Sequence, residues 1–193
     1  MWDQDQYIKA WNFASVAHNQ QLVPGTDNPY INHIGLVAME VMSACSRQTI
    51  ERFTTGQSTT ELATIEKPTL AVLCALLHDT IEDTATTYDD VVEQFGLAVA
   101  KGVLALTKDN ALPTKQAKMV DSLNRIKQQP KDVWLVKLAD RITNLQIPPA
   151  HWNKEKINKY STEAKLILTE LGSANEYLGT RLKNKIADYQ QYC

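Results

Sequence analysis

The stretch from 76 to 84 concentrates side chains that suit metal binding or proton transfer. An adjacent His78–Asp79 pair is followed, one helical turn later, by an adjacent Glu82–Asp83 pair. On a continuous helix, residues four apart share a face, so each member of the first pair lies beneath its counterpart in the second. Neighbouring carboxylates repel each other, and a buried helix tolerates them when a cation neutralises their charge. The pattern therefore predicts a metal-dependent hydrolytic site.

Two further positions offer the same ligand chemistry. His33 stands at the predicted start of a helix, and Asp140 interrupts an otherwise apolar helix. Taken singly, His33 suits a cap or packing role, and Asp140 suits an ion pair with Arg141. With His78 and Asp79, however, they form a mixed imidazole and carboxylate set. Such a set favours Mn²⁺, Fe²⁺ or Zn²⁺ over Ca²⁺, which prefers oxygen ligands, and it leaves positions for water and a substrate oxygen.

The remaining sequence supplies the helices that must position these residues. Apolar residues recur mainly at intervals of three and four, with no convincing period-two strand, so we predict an all-α, single-domain helical bundle over 1–193. Pro68 is predicted to start the helix that carries the His–Asp pair, and 54–60 is predicted to be a surface loop. The other predicted helices cover about 3–21, 31–46, 114–129, 132–145, 154–171 and 173–189. A cap and first turn are predicted at 86–90, with a break at Gly96 before a helix that runs through Leu106.

Composition excludes several classes of partner. The formal net charge of −2 gives no general attraction to nucleic acid or anionic membranes, so phosphate binding requires a local basic pocket. The chain shows neither an apolar run of membrane-spanning length nor a secretory signal. Three unpatterned cysteines suit reduced thiols. We therefore expect a cytoplasmic protein with a small-molecule partner, while the sequence leaves the oligomeric state open.

The order His … His-Asp … Asp resembles that of the HD-domain metal-dependent phosphohydrolases. The similarity extends to the hydrolase domains of RelA/SpoT proteins and to the single-domain small alarmone hydrolases. The matching stretches are Pro29–His33, Ala75–Thr84, Thr86–Thr87, Phe95–Gly96, Leu106–Asp109, Val136–Arg141 and Asn144. This resemblance implies an HD-domain fold and a nucleotide substrate. It also implies Mn²⁺-dependent release of pyrophosphate from the 3′-diphosphate of guanosine tetraphosphate or pentaphosphate.

Metal and catalytic roles can be carried over residue by residue. The resemblance implies Mn²⁺ ligands at His33, His78, Asp79 and Asp140, with another divalent transition metal as an alternative. It also implies that Glu82 and Asp83 handle the nucleophilic water. Crowding by Asp79 is expected to raise the pKa of one member of that pair, as a general base requires.

Substrate contacts are implied at five positions. Asn144 matches a residue beside the nucleotide sugar and phosphates, and Tyr160 matches a position that faces the nucleotide. Lys108, Lys137 and Lys156 are candidates to offset the substrate charge. Two of these assignments stay open, because Lys156 also suits a solvated surface charge and Tyr160 also suits a core aromatic.

The chain departs from the family pattern after His18-Asn19-Gln20-Gln21. Relatives place an Arg-Lys pair here to embrace the base and a phosphate, whereas this chain has Leu22-Val23, which cannot pair with phosphate. The departure keeps two alternatives open: a hydrolase for another nucleotide, such as an adenosine alarmone or a nucleoside phosphate, and a non-catalytic nucleotide-binding module. The intact Glu82–Asp83 pair favours an enzyme. The stretch Arg47–Glu66 is longer than in compact relatives and has no assigned role.

Overall fold

The computed structural model describes residues 3–55 and 68–193, with side chains described for 3–47 and 69–193. The prediction of an all-α fold is confirmed, since the described residues contain helices and, outside them, one isolated bridge between Leu22 and Pro29. The helices are α1 (Gln4–Ala17), α2 (Ile31–Thr55), α3 (Pro68–Leu77), α4 (Thr80–Asp83), α5 (Tyr88–Phe95), α6 (Leu97–Leu106), α7 (Lys115–Lys127), α8 (Lys131–Asn144), α9 (Lys154–Leu171) and α10 (Glu176–Tyr189).

Helix α3 forms the centre of the bundle. It is apolar all round, as expected of a buried helix, and every residue from Ala71 to Leu77 is buried. Helices α1, α2, α6 and α8 pack around it, and α2 also packs against α8. Each fully buried leucine contributes about 1.5–3 kcal/mol. Because α3 ends at Leu77 and packs against both α2 and α8, the chain leaves the core at His78, between these two helices.

The predicted continuous helix through the His–Asp pair is wrong. Helix α3 ends at Leu77, and His78 and Asp79 form a turn before the four-residue helix α4. Local side chains take up the backbone carbonyls at this point: His78 Nδ1 lies 2.8 Å from the Ala75 oxygen, and the Thr80 hydroxyl donates to Leu77 at 2.7 Å. Such side-chain bonds compete with the helical ladder. The turn, rather than a shared helix face, orients the pair.

Several predicted helix boundaries are confirmed. Pro68 begins α3, and α9 has the predicted bounds. Thr87 caps α5 through a capping box with Asp90. Gly96 separates α5 from α6 with a φ of +84°, a left-handed conformation that glycine adopts without strain.

Other boundaries differ from the prediction. Helix α1 ends at Ala17 rather than near 21, because Gln20 adopts a φ of +68° that cannot continue a right-handed helix. Helix α2 continues past the predicted end at Ser46 to Thr55, so the predicted loop 54–60 begins inside it. The rest of that predicted loop, 56–60, lies outside the described residues. Among the helices the structure describes, none combines the length and apolarity needed to cross a bilayer.

Candidate metal centre and hydrolytic site

Four side chains converge where α2, the 78–79 turn and α8 meet. The Nε2 atoms of His33 and His78 lie 3.3 Å apart. Asp140 Oδ1 lies 3.6 Å from the first nitrogen and 3.9 Å from the second. Asp79 Oδ2 lies 2.9 Å from His78 Nε2 and 3.6 Å from His33 Nε2. Donor atoms that each bind one ion at about 2.0–2.2 Å must lie at such separations, so this arrangement fits a divalent cation.

His78 and Asp79, which directly follow α3, are held in place by residues outside the cluster. His78 Nδ1 donates to the carbonyl of Ala75 at 2.8 Å, which leaves the lone pair of Nε2 facing the other ligands. The hydroxyl of Tyr30 donates to Asp79 Oδ2 at 2.6 Å. This phenol lies one helical turn before His33, and the two rings are 5.2 Å apart. Tyr30 therefore supports both sides of the cluster, a role that the sequence prediction did not assign to it.

Asp140 is fixed by two of the predicted substrate residues. Asn144 Nδ2 donates to Asp140 Oδ1 at 2.6 Å, and Lys137 Nζ lies 3.3 Å from Oδ2. Arg141 is not its ion partner, because that guanidinium lies 3.4 Å from Glu163. The spacings of three and four residues place the asparagine and the lysine on the aspartate's own helix face. In the described structure both residues therefore hold the carboxylate of Asp140 in place.

The electrostatics of the cluster favour cation binding. Burial would raise the pKa of Asp79, but the imidazoles of His78 and His33 hold that pKa well below its usual range. Burial likewise opposes ionisation of Asp140, whereas Lys137 and His78 lower its pKa. Burial would lower the pKa of His78, yet the two carboxylates raise it to about 9. The negative charge of the two carboxylates, which favours a proton on this imidazole, would equally favour a divalent ion, and the ion would displace that proton.

Glu82 and Asp83 differ in how they are held. Glu82 accepts two hydrogen bonds from Lys108, one from its backbone N–H at 2.9 Å and one from Nζ at 2.6 Å. The prediction that one member of the pair has a raised pKa is confirmed for Asp83. Partial desolvation raises that pKa most, followed by the charges of Asp79 and Glu82, while Lys108 and His18 act in the opposite direction. The glutamate is anchored, and the aspartate has the properties of a proton acceptor.

The remaining two candidates lie in an aromatic group near α9. Tyr160 has its ring 4.1 Å from the guanidinium carbon of Arg141 and 5.2 Å from the Trp152 ring. Burial is the main reason why the pKa of Tyr160 rises to about 12. Lys156 is exposed, with its Nζ 4.2 Å from the centre of the Trp152 ring. These contacts are those of a packed aromatic and of a surface charge over an indole.

His18 is a buried polar residue that the sequence prediction left without a role. Its backbone N–H caps the end of α1 by donating to the Ala14 carbonyl. Its Nδ1 lies 2.7 Å from Gln21 Oε1, and its ring lies 4.9 Å from that of Tyr30. Its Nε2 is buried with no hydrogen-bond partner among the described residues. A histidine three residues before a glutamine in a polar segment was the available signal, but burial there depends on the distant Tyr30.

Comparisons with known proteins agree with this geometry. The sequence profile of the HD domain matches residues 10–177. Over 187 residues the chain is 30% identical to the mouse guanosine-3′,5′-bis(diphosphate) 3′-pyrophosphohydrolase MESH1, covering 92% of this chain and 91% of that protein. An Aquifex aeolicus guanosine-3′,5′-bis(diphosphate) 3′-pyrophosphohydrolase is 31% identical over 190 residues, which are 96% of this chain and 23% of that protein. A solved structure, described as a metazoan orthologue of SpoT that hydrolyses ppGpp, matches with a TM-score of 0.73 and 24% identity over 97% of both chains.

Proposed function

Because the chain belongs to the HD-domain family, within the group of RelA/SpoT-type hydrolase domains and single-domain alarmone hydrolases, we propose that it hydrolyses guanosine tetraphosphate or pentaphosphate at the 3′-diphosphate. The relatives that bear this activity in their names align with nearly the whole chain. One observation carries the proposal: His33, His78 and Asp140 present ligand atoms within 4.8 Å of one another, and Asp79 Oδ2 lies 2.9 Å from His78 Nε2. The HD domain implies a divalent metal, and these residues fit one.

The proposed reaction divides between the metal centre and Asp83. His33, His78, Asp79 and Asp140 would hold a divalent ion, proposed to be Mn²⁺, which would lower the pKa of a bound water and withdraw charge from a phosphate oxygen. Asp83 accepts a proton from the attacking water, whose oxygen forms a bond to the phosphorus next to the 3′-oxygen. The bond from that phosphorus to the 3′-oxygen breaks. The 3′-oxygen takes up the proton held by Asp83 and stays on the ribose as a hydroxyl, and the two phosphorus atoms leave as pyrophosphate.

Asp83, rather than Glu82, is the proposed general base. Both oxygens of the Glu82 carboxylate accept hydrogen bonds from Lys108, so protonating it would cost at least one of them. The pKa of Asp83 is raised from its ordinary value, which brings it closer to the range in which a carboxylate accepts protons efficiently. Glu82 instead fixes the position of Lys108 beside the base.

Substrate charge is proposed to meet Lys108 first. The side chain of Lys108 is 38% exposed, whereas that of Lys137 is 8% exposed and is paired with Asp140. An exposed ammonium near the base can move to a phosphate, while a buried one acts on the substrate through the ligand it neutralises. Lys156 and Tyr160 are proposed to contact more distant parts of the nucleotide, as their counterparts in the family do. Asn144 is proposed to serve both Asp140 and the sugar.

A second candidate substrate is a nucleotide with another base. The position of the family's Arg-Lys pair holds Leu22, which is 49% exposed, followed by Val23, and neither side chain pairs with phosphate. An adenosine alarmone or a nucleoside phosphate would then compete with the guanosine compound. A non-catalytic nucleotide-binding role is disfavoured, because it gives no use to a carboxylate with a raised pKa beside the metal ligands.

The deciding experiment is pyrophosphate release from guanosine tetraphosphate by the purified protein. We expect release with Mn²⁺ and none with a chelator, and the same preparation should be tested with adenosine alarmones and nucleoside phosphates. Release only from another nucleotide would reject the guanosine assignment. Metal binding without hydrolysis of any of them would favour a binding module. We further propose a cytoplasmic location, which is supported by the absence of disulfide bonds at Cys45, Cys74 and Cys193.

A further inference from the structure

His18 carries a buried nitrogen atom whose partner is not among the described residues. The residue is 3% exposed, and its Nε2 has no hydrogen-bond partner in the described structure. Buried polar atoms in folded proteins are nearly always hydrogen-bonded, so such an atom beside a candidate active site indicates a ligand or a bound water. The indication is independent of the four proposed metal ligands, because His18 follows the last residue of α1 and contributes no atom to their cluster.

The other ring nitrogen determines what this atom can do. His18 Nδ1 lies 2.7 Å from Gln21 Oε1, and an amide oxygen only accepts hydrogen bonds. Nδ1 must therefore carry the proton, which makes Nε2 of the neutral imidazole an acceptor. The missing partner is consequently a donor, such as an O–H group. A phosphate oxygen does not satisfy this requirement.

The surroundings of His18 place this acceptor beside the hydrolytic groups. Its ring packs at 4.9 Å against Tyr30, whose hydroxyl holds the metal ligand Asp79 at 2.6 Å. The ring of His18 is also close enough to Asp83 to influence that carboxyl. A water bound to a cation through its oxygen presents two O–H groups, and Asp83 can accept only one of them. The second O–H requires another acceptor.

We propose that His18 is a water-positioning residue, whose Nε2 accepts a hydrogen bond from the second O–H of the water that Asp83 deprotonates. Gln21 holds the tautomer, and Tyr30 holds the plane of the ring. The attacking oxygen is thereby oriented by three groups: the cation, Asp83 and His18. The inference rests on the proposed hydrolytic function, but it does not depend on which base the nucleotide carries.

The first test compares two substitutions of nearly equal reach. His18→Gln retains an acceptor oxygen near the position of Nε2, whereas His18→Leu removes it. We expect His18→Leu to lower kcat about 100-fold, with KM, bound metal and melting temperature nearly unchanged, because a misplaced nucleophile costs about that factor. His18→Gln should remain within about tenfold of the original kcat. His151→Gln makes the same chemical change at an exposed histidine and should leave kcat unchanged.

The second test does not require turnover. The nitrogen spectrum of ¹⁵N-histidine-labelled, Zn²⁺-loaded protein should show His18 protonated at Nδ1, with the signal assigned by its absence in His18→Gln. The Gln21→Leu variant should lose that fixed tautomer. Protonation of His18 at Nε2 in the original protein would overturn the inference.

The outcomes separate this inference from the proposed function. Equal loss of kcat in His18→Gln and His18→Leu, or no loss in His18→Leu, would overturn the positioning role. A loss of bound metal in both variants would do so as well, since it would indicate a structural role. If the original protein releases no pyrophosphate from guanosine tetraphosphate but cleaves a chromogenic phosphate ester with Mn²⁺, the proposed substrate is wrong. The His18 comparison is then made with that ester.

Discussion

Two regions of the proposed site are built differently: the metal end, formed by the four proposed ligands, and the nucleobase end, formed by the loop that holds Leu22 and Val23. The proposed ligands His33 and His78 are buried; His33 lies on α2, which packs against the central helix α3, and His78 directly follows α3. At the nucleobase end, Leu22 is 49% exposed and lies outside the helices. From this difference we expect hydrolysis and nucleobase recognition to be separable: residues held by the core should determine hydrolysis, and loop residues should determine which nucleobase binds.

The two ends also differ in whether hydrogen bonds from outside the cluster hold their side chains in place. His78, Asp79 and Asp140 each accept or donate a hydrogen bond that is independent of the cluster. The loop that holds Leu22 instead touches another loop, because a Cβ added at Gly25 would lie 3.5 Å from Pro149. Changes at the metal end should therefore abolish the reaction, while changes at the nucleobase end should alter substrate preference.

The largest effect is expected from Asp140→Ala. This change removes one ligand oxygen and leaves Lys137 and Asn144 without their shared partner. Loss of an outer partner alone typically costs about 10–100-fold in metal affinity, and loss of the ligand itself should cost more. Metal content measured by atomic emission and pyrophosphate release should fall together. Full activity with bound metal would remove Asp140 from the ligand set.

The next effect separates Asp83 from Glu82. Asp83→Asn should keep the metal and lower kcat by about 10²–10⁴-fold, since it removes the proposed base. Glu82→Gln should lower kcat less and should raise KM, because it weakens the hold on Lys108. Steady-state kinetics at saturating Mn²⁺ distinguish the two variants. A greater loss of kcat in Glu82→Gln would reverse the assignment of the base.

The pH dependence of kcat tests the same residue. Asp83 acts as a base only when it is ionised, and its pKa is raised by partial desolvation and by the charges of Asp79 and Glu82. Activity should therefore be lost as the pH falls, at a pH above the ordinary aspartate pKa of about 3.9. Glu82→Gln removes one of these charges and should move this acid limb to lower pH. An unchanged limb in that variant would mean that another group limits the rate.

A smaller effect is expected from Tyr30→Phe. The change keeps the ring beside His33 but removes the hydrogen bond to Asp79. We expect metal affinity to fall about 10–100-fold, the range for an outer-partner substitution, with activity restored by excess Mn²⁺. Titration with Mn²⁺ measures this shift. If affinity does not change, Tyr30 serves packing alone.

Much of the metal end was predictable because its information is local in the sequence. Residue types at positions 33, 78, 79 and 140 indicated the ligand set, and α9 was predicted with its observed bounds. The spacing of Lys137 and Asn144 from Asp140 also indicated that both share its helix face. The prediction of substrate contacts at Lys137 and Asn144 did not use this spacing, and it stays a prediction.

Other features required contacts that no local pattern contains. The turn at His78 depends on side chains that take backbone carbonyls, which helix propensity does not reveal. The anchoring of Glu82 by Lys108 joins residues 26 positions apart. The burial of His18 depends on packing against Tyr30 from the next helix. The sequence therefore indicated which groups the site uses, while tertiary packing determined how they divide the work.

The smallest and most selective effect is expected at the nucleobase end. Leu22→Arg combined with Val23→Lys restores charged side chains where the family places them, at a position that is already exposed. If base recognition resides in this loop, KM for guanosine tetraphosphate should fall several-fold, since an exposed cation–π or ion-pair contact contributes about 0.5–1 kcal/mol. Values of kcat and metal content should not change, because no ligand or base is touched. A matched pair of neutral substitutions, Leu22→Gln with Val23→Thr, controls for polarity. If kcat falls with the charged pair but not with the neutral pair, the loop acts on the chemistry, and the two ends of the site are coupled rather than separable.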